Sequence, residues 1–127
     1  MYNEAMQPKV YLESSVISYL AARPSRDILV SANQQVTQEW WHERRGQFEL
    51  YVSQLVEQEI NLGDTEAVLK RRQALADCRF LEITSEALAL AEALVGQNAI
   101  PKQASADALH IATAAVSGMD YLLTWNF

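Results

Sequence analysis

Short runs of β-branched and aromatic residues alternate with pairs of helical segments along the chain, and this order limits the available folds. Four such runs predict strands, at 9–13, 48–53, 80–83 and 121–125. Between successive strands the apolar periodicity and the capping residues predict two helices each time, at 16–22 and 26–45, at 55–62 and 65–76, and at 85–95 and 104–117. Helical crossovers join parallel strands, so we predict an α/β fold, a three-layer α/β/α sandwich with a central, mainly parallel sheet.

The length and composition indicate one ordinary globular unit. The chain has 127 residues, of which 50% are hydrophobic and 20% charged, and we expect a single domain spanning 1–127. No apolar run approaches the roughly 20 residues of a membrane-spanning helix. The polar segment 1–10 lacks the apolar core of a signal peptide, so we expect a cytoplasmic protein without a membrane partner.

The charge balance limits how the chain could bind nucleic acid. A net charge of −6 argues against binding through a broad basic surface, although bound divalent cations would reverse the sign locally. Arg23 and Arg26 are candidates for phosphate contacts. The basic run 70–72 is more simply explained as a solvated helix face.

Glu13 is the first of three acids that follow or begin a predicted element. It ends an otherwise apolar strand immediately before Ser14 and Ser15, which are good residues to cap the next helix. This position falls at the sheet edge where open α/β proteins bind ligands. A solvated strand terminus would also tolerate a carboxylate there.

Glu59 is the second acid, and helical phase distinguishes it from Glu57. Residues three and four apart share a helix face, so Glu59 lies beside Leu55 and Val56 on the apolar side, whereas Glu57 points away. A buried carboxylate needs a partner such as a metal ion. Alternatively, Glu59 lies at the rim of the apolar stripe and reaches water.

Asp107 and His110 are the main polar residues of the apolar helix at 104–117. Asp107 lies in the first turn, where a carboxylate also complements the helix dipole without any ligand. We favour His110 as a buried, hydrogen-bonded core residue, because sites for hard cations are built from oxygen ligands. We expect this helix to be buried on more than one side.

Two bulky aromatics lie next to each other in the long helix predicted at 26–45. An apolar stripe of every third or fourth residue predicts its core face, formed by Ile28, Leu29, Ala32, Val36 and Trp40. Trp41 then falls on an adjacent face. We predict that Trp41 is partly exposed and contributes to a dimer or partner contact.

Four segments, taken in order, resemble the motifs of a PIN domain, and most closely those of VapC-type toxins from type II toxin–antitoxin systems. They are Val10 to Leu20, Val52 to Ile60, Ala106 to Ala114, and Tyr121 to Asn126. The resemblance implies a Mg²⁺- or Mn²⁺-dependent endoribonuclease that hydrolyses RNA phosphodiester bonds. It also implies a homodimer that is neutralised by a cognate antitoxin.

The resemblance also implies site residues, carried over position by position. The three acids of the family correspond to Glu13, Glu59 and Asp107, which would act in catalysis and bind the metal. Ser15 and Thr124 would support them, and Asn126 occupies the last acidic position. The departures from the family pattern are Glu13 in place of the usual Asp, Asn126 in place of an acid, and an end at Phe127, where the family continues and a C-terminal segment would be missing.

Two other functions stay open at this point. A catalytically weakened PIN domain acting as a protein-interaction module would explain Glu13, Asn126 and the short C-terminus. A phosphatase-like or response-regulator-like domain also uses acids at the sheet edge. It would need a phosphoacceptor Asp at the end of a central strand, and no residue stands out in that role.

Overall fold

A four-stranded parallel sheet is the centre of the computed structural model, which describes residues 7–126. The strands are Lys9–Leu12 (β1), Glu49–Ser53 (β2), Arg79–Leu81 (β3) and Tyr121–Leu123 (β4). Their spatial order is β3-β2-β1-β4, and all three pairings are parallel. Residues 1–6 and 127 lie outside the described part. The expectations about a signal peptide in segment 1–10 and about the chain end at Phe127 rest partly on these residues.

Six α-helices connect the strands in the predicted order. They are Ser14–Ala21 (α1), Ile28–Glu43 (α2), Gln54–Ile60 (α3), Thr65–Leu75 (α4), Ser85–Gly96 (α5) and Ser105–Val116 (α6). The predicted α/β fold, a three-layer α/β/α sandwich with a parallel sheet, is confirmed. Among the described helices, none combines the length and apolar character that crossing a bilayer requires.

The core lies on both sides of the central strand β1, whose Val10, Tyr11 and Leu12 are buried. On one side α1 packs against α2, α3 and α4. Elsewhere α5 and α6 pack on each other through small residues, including Ala87, Ala91, Ala108 and Ala112. Buried positions on α6 extend over two of its sides, as the sequence predicted. Burial on both faces explains why β1 and β2 are almost continuously apolar.

The predicted core face of α2 is wrong. Ile28 and Leu29 are 88% and 73% exposed, and Val36 is 55% exposed. The buried face instead carries Gln34, Thr37 and Trp41. Periodicity identifies an apolar stripe, but it does not determine whether that stripe faces the protein's own core.

The buried polar residues of α2 are hydrogen-bonded, which offsets their desolvation. Gln34 accepts from the backbone N–H of Ser25 at 3.0 Å and donates to the carbonyl of Arg23 at 3.0 Å, so it holds the loop before the helix. Thr37 accepts from the indole N–H of Trp125 at 2.9 Å. These long-range contacts orient the helix, and they depend on loops that local pattern does not describe.

Trp41 is buried, so the prediction that it forms an exposed partner contact is wrong. It is 5% exposed, and the Arg45 guanidinium lies 4.7 Å from its ring centroid. Trp40 is the half-buried member of the pair and stacks on Phe48. The orientation of α2 therefore exchanges the roles expected for the two tryptophans.

Candidate functional site

The carboxyl ends of the three neighbouring strands β2, β1 and β4 meet at one edge of the sheet. Glu13 follows β1, and its backbone N–H donates to the carbonyl of Leu123 at 3.1 Å. Ser53 ends β2, and Thr124 follows β4. Parallel strands place these positions side by side, which gathers polar side chains that are far apart in the sequence.

Glu13 is 4% exposed, and its carboxylate is surrounded by hydroxyl groups. Ser15 and Thr124 donate to Oε1, the latter at 2.7 Å, and Ser14 lies 2.8 Å from Oε2. Burial alone raises the pKa of Glu13, but the hydrogen bonds from these hydroxyls outweigh burial, so the net pKa lies below its ordinary value. Glu13 is therefore held as a carboxylate in a nearly closed pocket.

The expectation that Ser14 and Ser15 cap α1 is wrong. Glu13 occupies the N-cap position with no side-chain cap hydrogen bond, and the two serines are the first helical residues. Their hydroxyls turn toward carboxylates instead of the helix backbone N–H groups. The Ser15 hydroxyl also accepts from the backbone N–H of Trp125 at 2.8 Å, which ties α1 to the segment after β4.

Ser14 lies between two acids and links them. Its hydroxyl oxygen is 2.8 Å from Oε2 of Glu13 and 2.7 Å from Oε1 of Glu59. A hydroxyl has one proton, so it satisfies one of these two contacts when both carboxylates are ionised. The remaining close approach of oxygen atoms is relieved by a cation or by a second proton.

Glu59 reaches this point from α3, and it also contacts α6. Its Oε1 lies 2.7 Å from Nε2 of His110. Nδ1 of His110 lies 2.6 Å from the hydroxyl of Tyr11, which is in turn 2.7 Å from the hydroxyl of Ser53. His110 is thus a buried, hydrogen-bonded histidine, as we favoured from the sequence, and it contacts the candidate site.

The donor set fits a hard divalent cation. Glu13, Glu59 and His110 each offer one ligand atom within 4.8 Å of the others. The two carboxylates share a single hydroxyl proton, so a cation at this point would relieve their repulsion. Carboxylate oxygens are the ligands that Mg²⁺ and Mn²⁺ prefer.

The other predicted site residues lie in more varied positions. Asp107 precedes His110 by one turn of α6 and is half-buried, but its carboxylate is not part of the close group. Asn126 is exposed, and its backbone N–H donates to Thr124. Arg23 forms an exposed ion pair with Glu66 at 3.0 Å, and Arg26 is exposed.

Two further residues of this region, Ser14 and Tyr11, were not predicted from the sequence to contribute to a site. Ser14 carried only a capping signal, and Tyr11 matched an ordinary buried strand residue. Only a fold that places β1 beside both β2 and α6 reveals their contacts, so no local signal could have identified Tyr11. The hydroxyl of Ser14 could have been suspected from its position next to Glu13.

Comparisons with known proteins agree with this fold. The sequence model of the PIN domain family matches residues 10–126. The fold is similar to the crystal structure of Mycobacterium tuberculosis VapC20, a toxin that cleaves the sarcin–ricin loop, with a TM-score of 0.62 and 15% sequence identity. That similarity covers 93% of this chain and 92% of the other. No curated protein matches the sequence.

Proposed function

We propose that this chain, which belongs to the PIN domain family, is a Mg²⁺- or Mn²⁺-dependent endoribonuclease toxin that hydrolyses RNA phosphodiester bonds. The observation that carries the proposal is the pair of carboxylates, Glu13 and Glu59, which share the single hydroxyl of Ser14 at the carboxyl edge of the sheet. Such a pair has little use in a purely structural role, because two like charges held this close, with Glu13 buried, repel each other.

We propose that Glu13, Glu59 and Asp107 hold the cation, with Asn126 supplying a neutral oxygen ligand. Asp107 would complete the set from α6 by a side-chain rotation, since it lies one turn from His110. When bound, a divalent cation would activate water and neutralise charge that develops on the scissile phosphate. The carboxylates repel RNA in the absence of cations, so substrate binding would depend on metal binding.

The remaining polar groups of the edge would orient these acids. Ser15 and Thr124 fix Oε1 of Glu13, leaving Oε2 on the side of Glu59 and Ser14. Arg23 and Arg26 lie in the loop before α2 and would contact flanking phosphates of the RNA. Arg26 is the stronger candidate of the two, because Arg23 is already paired with Glu66.

The experiment that tests this function is cleavage of a structured RNA by the purified protein with Mg²⁺ or Mn²⁺. We expect cleavage that excess EDTA abolishes and that Glu59→Gln abolishes without loss of fold. Glu57→Gln is the matched control, because Glu57 belongs to the same short helix but not to the carboxylate group. Equal cleavage with and without EDTA would refute the metal-dependent mechanism.

A cognate antitoxin, a homodimer and a cytoplasmic location complete the proposal. The exposed apolar face of α2 supports a protein partner, because Ile28, Leu29 and Val36 are large apolar side chains exposed on a single helix. Val36 also lines an apolar groove of about 290 Å³, and so does Thr124, whose hydroxyl donates to Glu13. An antitoxin segment lying in this groove would reach the carboxylates, where it would block RNA.

The same exposed face favours a second candidate, a catalytically weakened PIN domain that acts as an interaction module. Glu13 and Asn126, which differ from the usual acids of the family, also favour it. Calorimetry with Mn²⁺ separates the two functions. An interaction module would bind its protein partner but show no Mn²⁺ binding near millimolar concentration.

A further inference from the structure

Four side chains from four different elements form a continuous hydrogen-bonded series that runs from the core to the candidate site. Ser53 of β2, Tyr11 of β1, His110 of α6 and Glu59 of α3 follow one another with separations of 2.7, 2.6 and 2.7 Å. Tyr11 and Ser53 are fully buried, and His110 is 2% exposed. Glu59 is therefore connected to the rigid centre of the sheet.

The positions of the protons in this series follow from its two ends. Glu59 as a carboxylate is only an acceptor, so Nε2 of His110 must carry a proton and donate it to Oε1. With a neutral imidazole, Nδ1 then accepts from the hydroxyl of Tyr11, which accepts from the hydroxyl of Ser53.

Among the described residues, the two side chains that contact the Glu59 carboxylate both approach the same oxygen. Ser14 and His110 each lie 2.7 Å from Oε1. Bonds on one oxygen fix the carboxylate plane and occupy that oxygen. The other oxygen, Oε2, is then the one presented to a ligand.

We propose that Tyr11 and His110 form a buried positioning pair, which fixes Glu59 through Oε1 so that Oε2 is set as the oxygen that binds the divalent cation. The inference rests on the proposed function and adds the residues that prepare one of its ligands. Removing a residue that hydrogen-bonds to a metal ligand and orients it typically weakens metal binding by about 10- to 100-fold. Ser53 anchors the pair, since it also accepts from the backbone N–H of Val56 at the start of α3.

His110 acts through Glu59 and is not itself a ligand. Both ring nitrogens are engaged, Nδ1 with Tyr11 and Nε2 with Glu59, so no lone pair is directed at a cation. Imidazole is also a poor ligand for hard cations compared with carboxylate oxygen. His110 therefore differs in role from the two acids, although it lies within ligand distance of both.

The test is the affinity of the full chain for Mn²⁺, measured by calorimetry for two substitutions of the same residue. An amide nitrogen in Gln reaches about as far as Nε2 of histidine, whereas that of Asn reaches only as far as Nδ1. We expect His110→Asn to weaken Mn²⁺ binding by about 10- to 100-fold and His110→Gln to restore most of the affinity. Thr113→Val is the matched control, because Thr113 is equally buried on α6 and its hydroxyl has no hydrogen-bond partner among the described residues.

Tyr11→Phe tests the pair without changing the shape of the core. It removes the hydroxyl alone, so we expect weaker Mn²⁺ binding with the tryptophan environment and the cooperative unfolding of the wild type retained. In the His110→Asn background the same substitution should have no further effect on affinity, because the series is already broken. Effects of the two substitutions that simply multiply would contradict a shared action through Glu59.

The outcomes separate this inference from the proposed function. Wild-type protein that fails to bind Mn²⁺ would refute the proposed function, and the inference with it. If His110→Asn and Tyr11→Phe bind Mn²⁺ as tightly as the wild type does, the positioning role of Tyr11 and His110 is refuted and the proposed function is unaffected. Electron spin echo spectra of the Mn²⁺-loaded chain should show no directly coordinated nitrogen; a nitrogen ligand that disappears in His110→Gln would make His110 a ligand and overturn the assigned role.

Discussion

Replacing Ser14 with alanine tests the central feature of the site, the single hydroxyl between two carboxylates. The hydroxyl oxygen lies 2.8 Å from Glu13 and 2.7 Å from Glu59. A hydrogen bond to a charged group contributes about 1.5–3 kcal/mol, and its loss also leaves the carboxylates facing each other. We therefore expect Ser14→Ala to lower the free energy of unfolding by about 1.5–3 kcal/mol, equivalent to a decrease in Tm of roughly 5–15 °C for a chain of this size.

The difference in Tm between Ser14→Ala and wild type should depend on Mn²⁺ if the hydroxyl lies at a cation site. It should not depend on Mn²⁺ if the substitution only removes a hydrogen bond. A bound cation supplies the positive charge that the hydroxyl proton supplied, and it stabilises the folded state in proportion to occupancy. We expect saturating Mn²⁺ to reduce the difference in Tm between Ser14→Ala and wild type by half or more. Thermal unfolding followed by circular dichroism, with Mn²⁺ and with EDTA, measures both quantities.

Ser105→Ala is the matched control for this experiment. Ser105 is also the first residue of its helix, but its hydroxyl donates to the carbonyl of Lys102 at 2.6 Å on an exposed surface. Its substitution should change Tm little and equally in both conditions. The reasoning fails if Ser14→Ala and Ser105→Ala have the same Tm, or if Mn²⁺ leaves the Ser14→Ala difference unchanged.

Three other predictions concern the remaining residues of the site. Asp107→Asn should abolish Mn²⁺ binding without lowering Tm; a variant that melts lower and keeps the Mn²⁺-induced shift would leave Asp107 as a partner of the helix dipole, with a stability cost of about 0.3–1 kcal/mol. The pKa of Glu13 lies below its unfolded value, so its contribution to stability is present above the unfolded pKa and is lost as pH falls through the folded pKa. Thr124→Val removes one of the hydrogen bonds that lower this pKa and so brings the folded pKa closer to the unfolded one. Urea midpoints measured against pH should therefore show a smaller loss of stability on acidification, which is complete at a higher pH than in wild type. Arg26→Gln should weaken RNA binding and reduce the slope of log K against log[salt] by about 1, whereas Arg45→Gln, whose arginine is paired with Asp77, should leave that slope unchanged.

The local sequence pattern was sufficient to predict the order of the strands and helices. Short runs of β-branched and aromatic residues and helical apolar stripes give strands and helices in the correct order, because they reflect the burial of individual elements. All predicted boundaries of these strands and helices fall within two residues of the observed ones. Helical periodicity also placed Glu59 and Glu57 on different faces of their helix, since the face that a residue occupies depends only on local geometry.

The orientation of α2 was beyond such reasoning. Its apolar stripe is a real feature of the sequence, but the face that packs inward is the one with Gln34, Thr37 and Trp41. That choice depends on hydrogen bonds from the loop before the helix and from Trp125, which lies 88 residues away from Thr37 in the chain. Apolar pattern alone does not record partners that are distant in sequence.

The sequence by itself determined that strands alternate with paired helices, and therefore that the sheet is parallel and that Glu13 follows a strand at its carboxyl edge. Only the tertiary structure decided that Ser14 links Glu13 to Glu59 and that His110 connects Glu59 to Tyr11, across separations of 45, 51 and 99 residues. The physical reason is the range of the interactions. Periodicity and capping are set by residues within one or two turns, whereas shared protons and carboxylate repulsion depend on distances of a few ångströms that exist only once the four elements have packed.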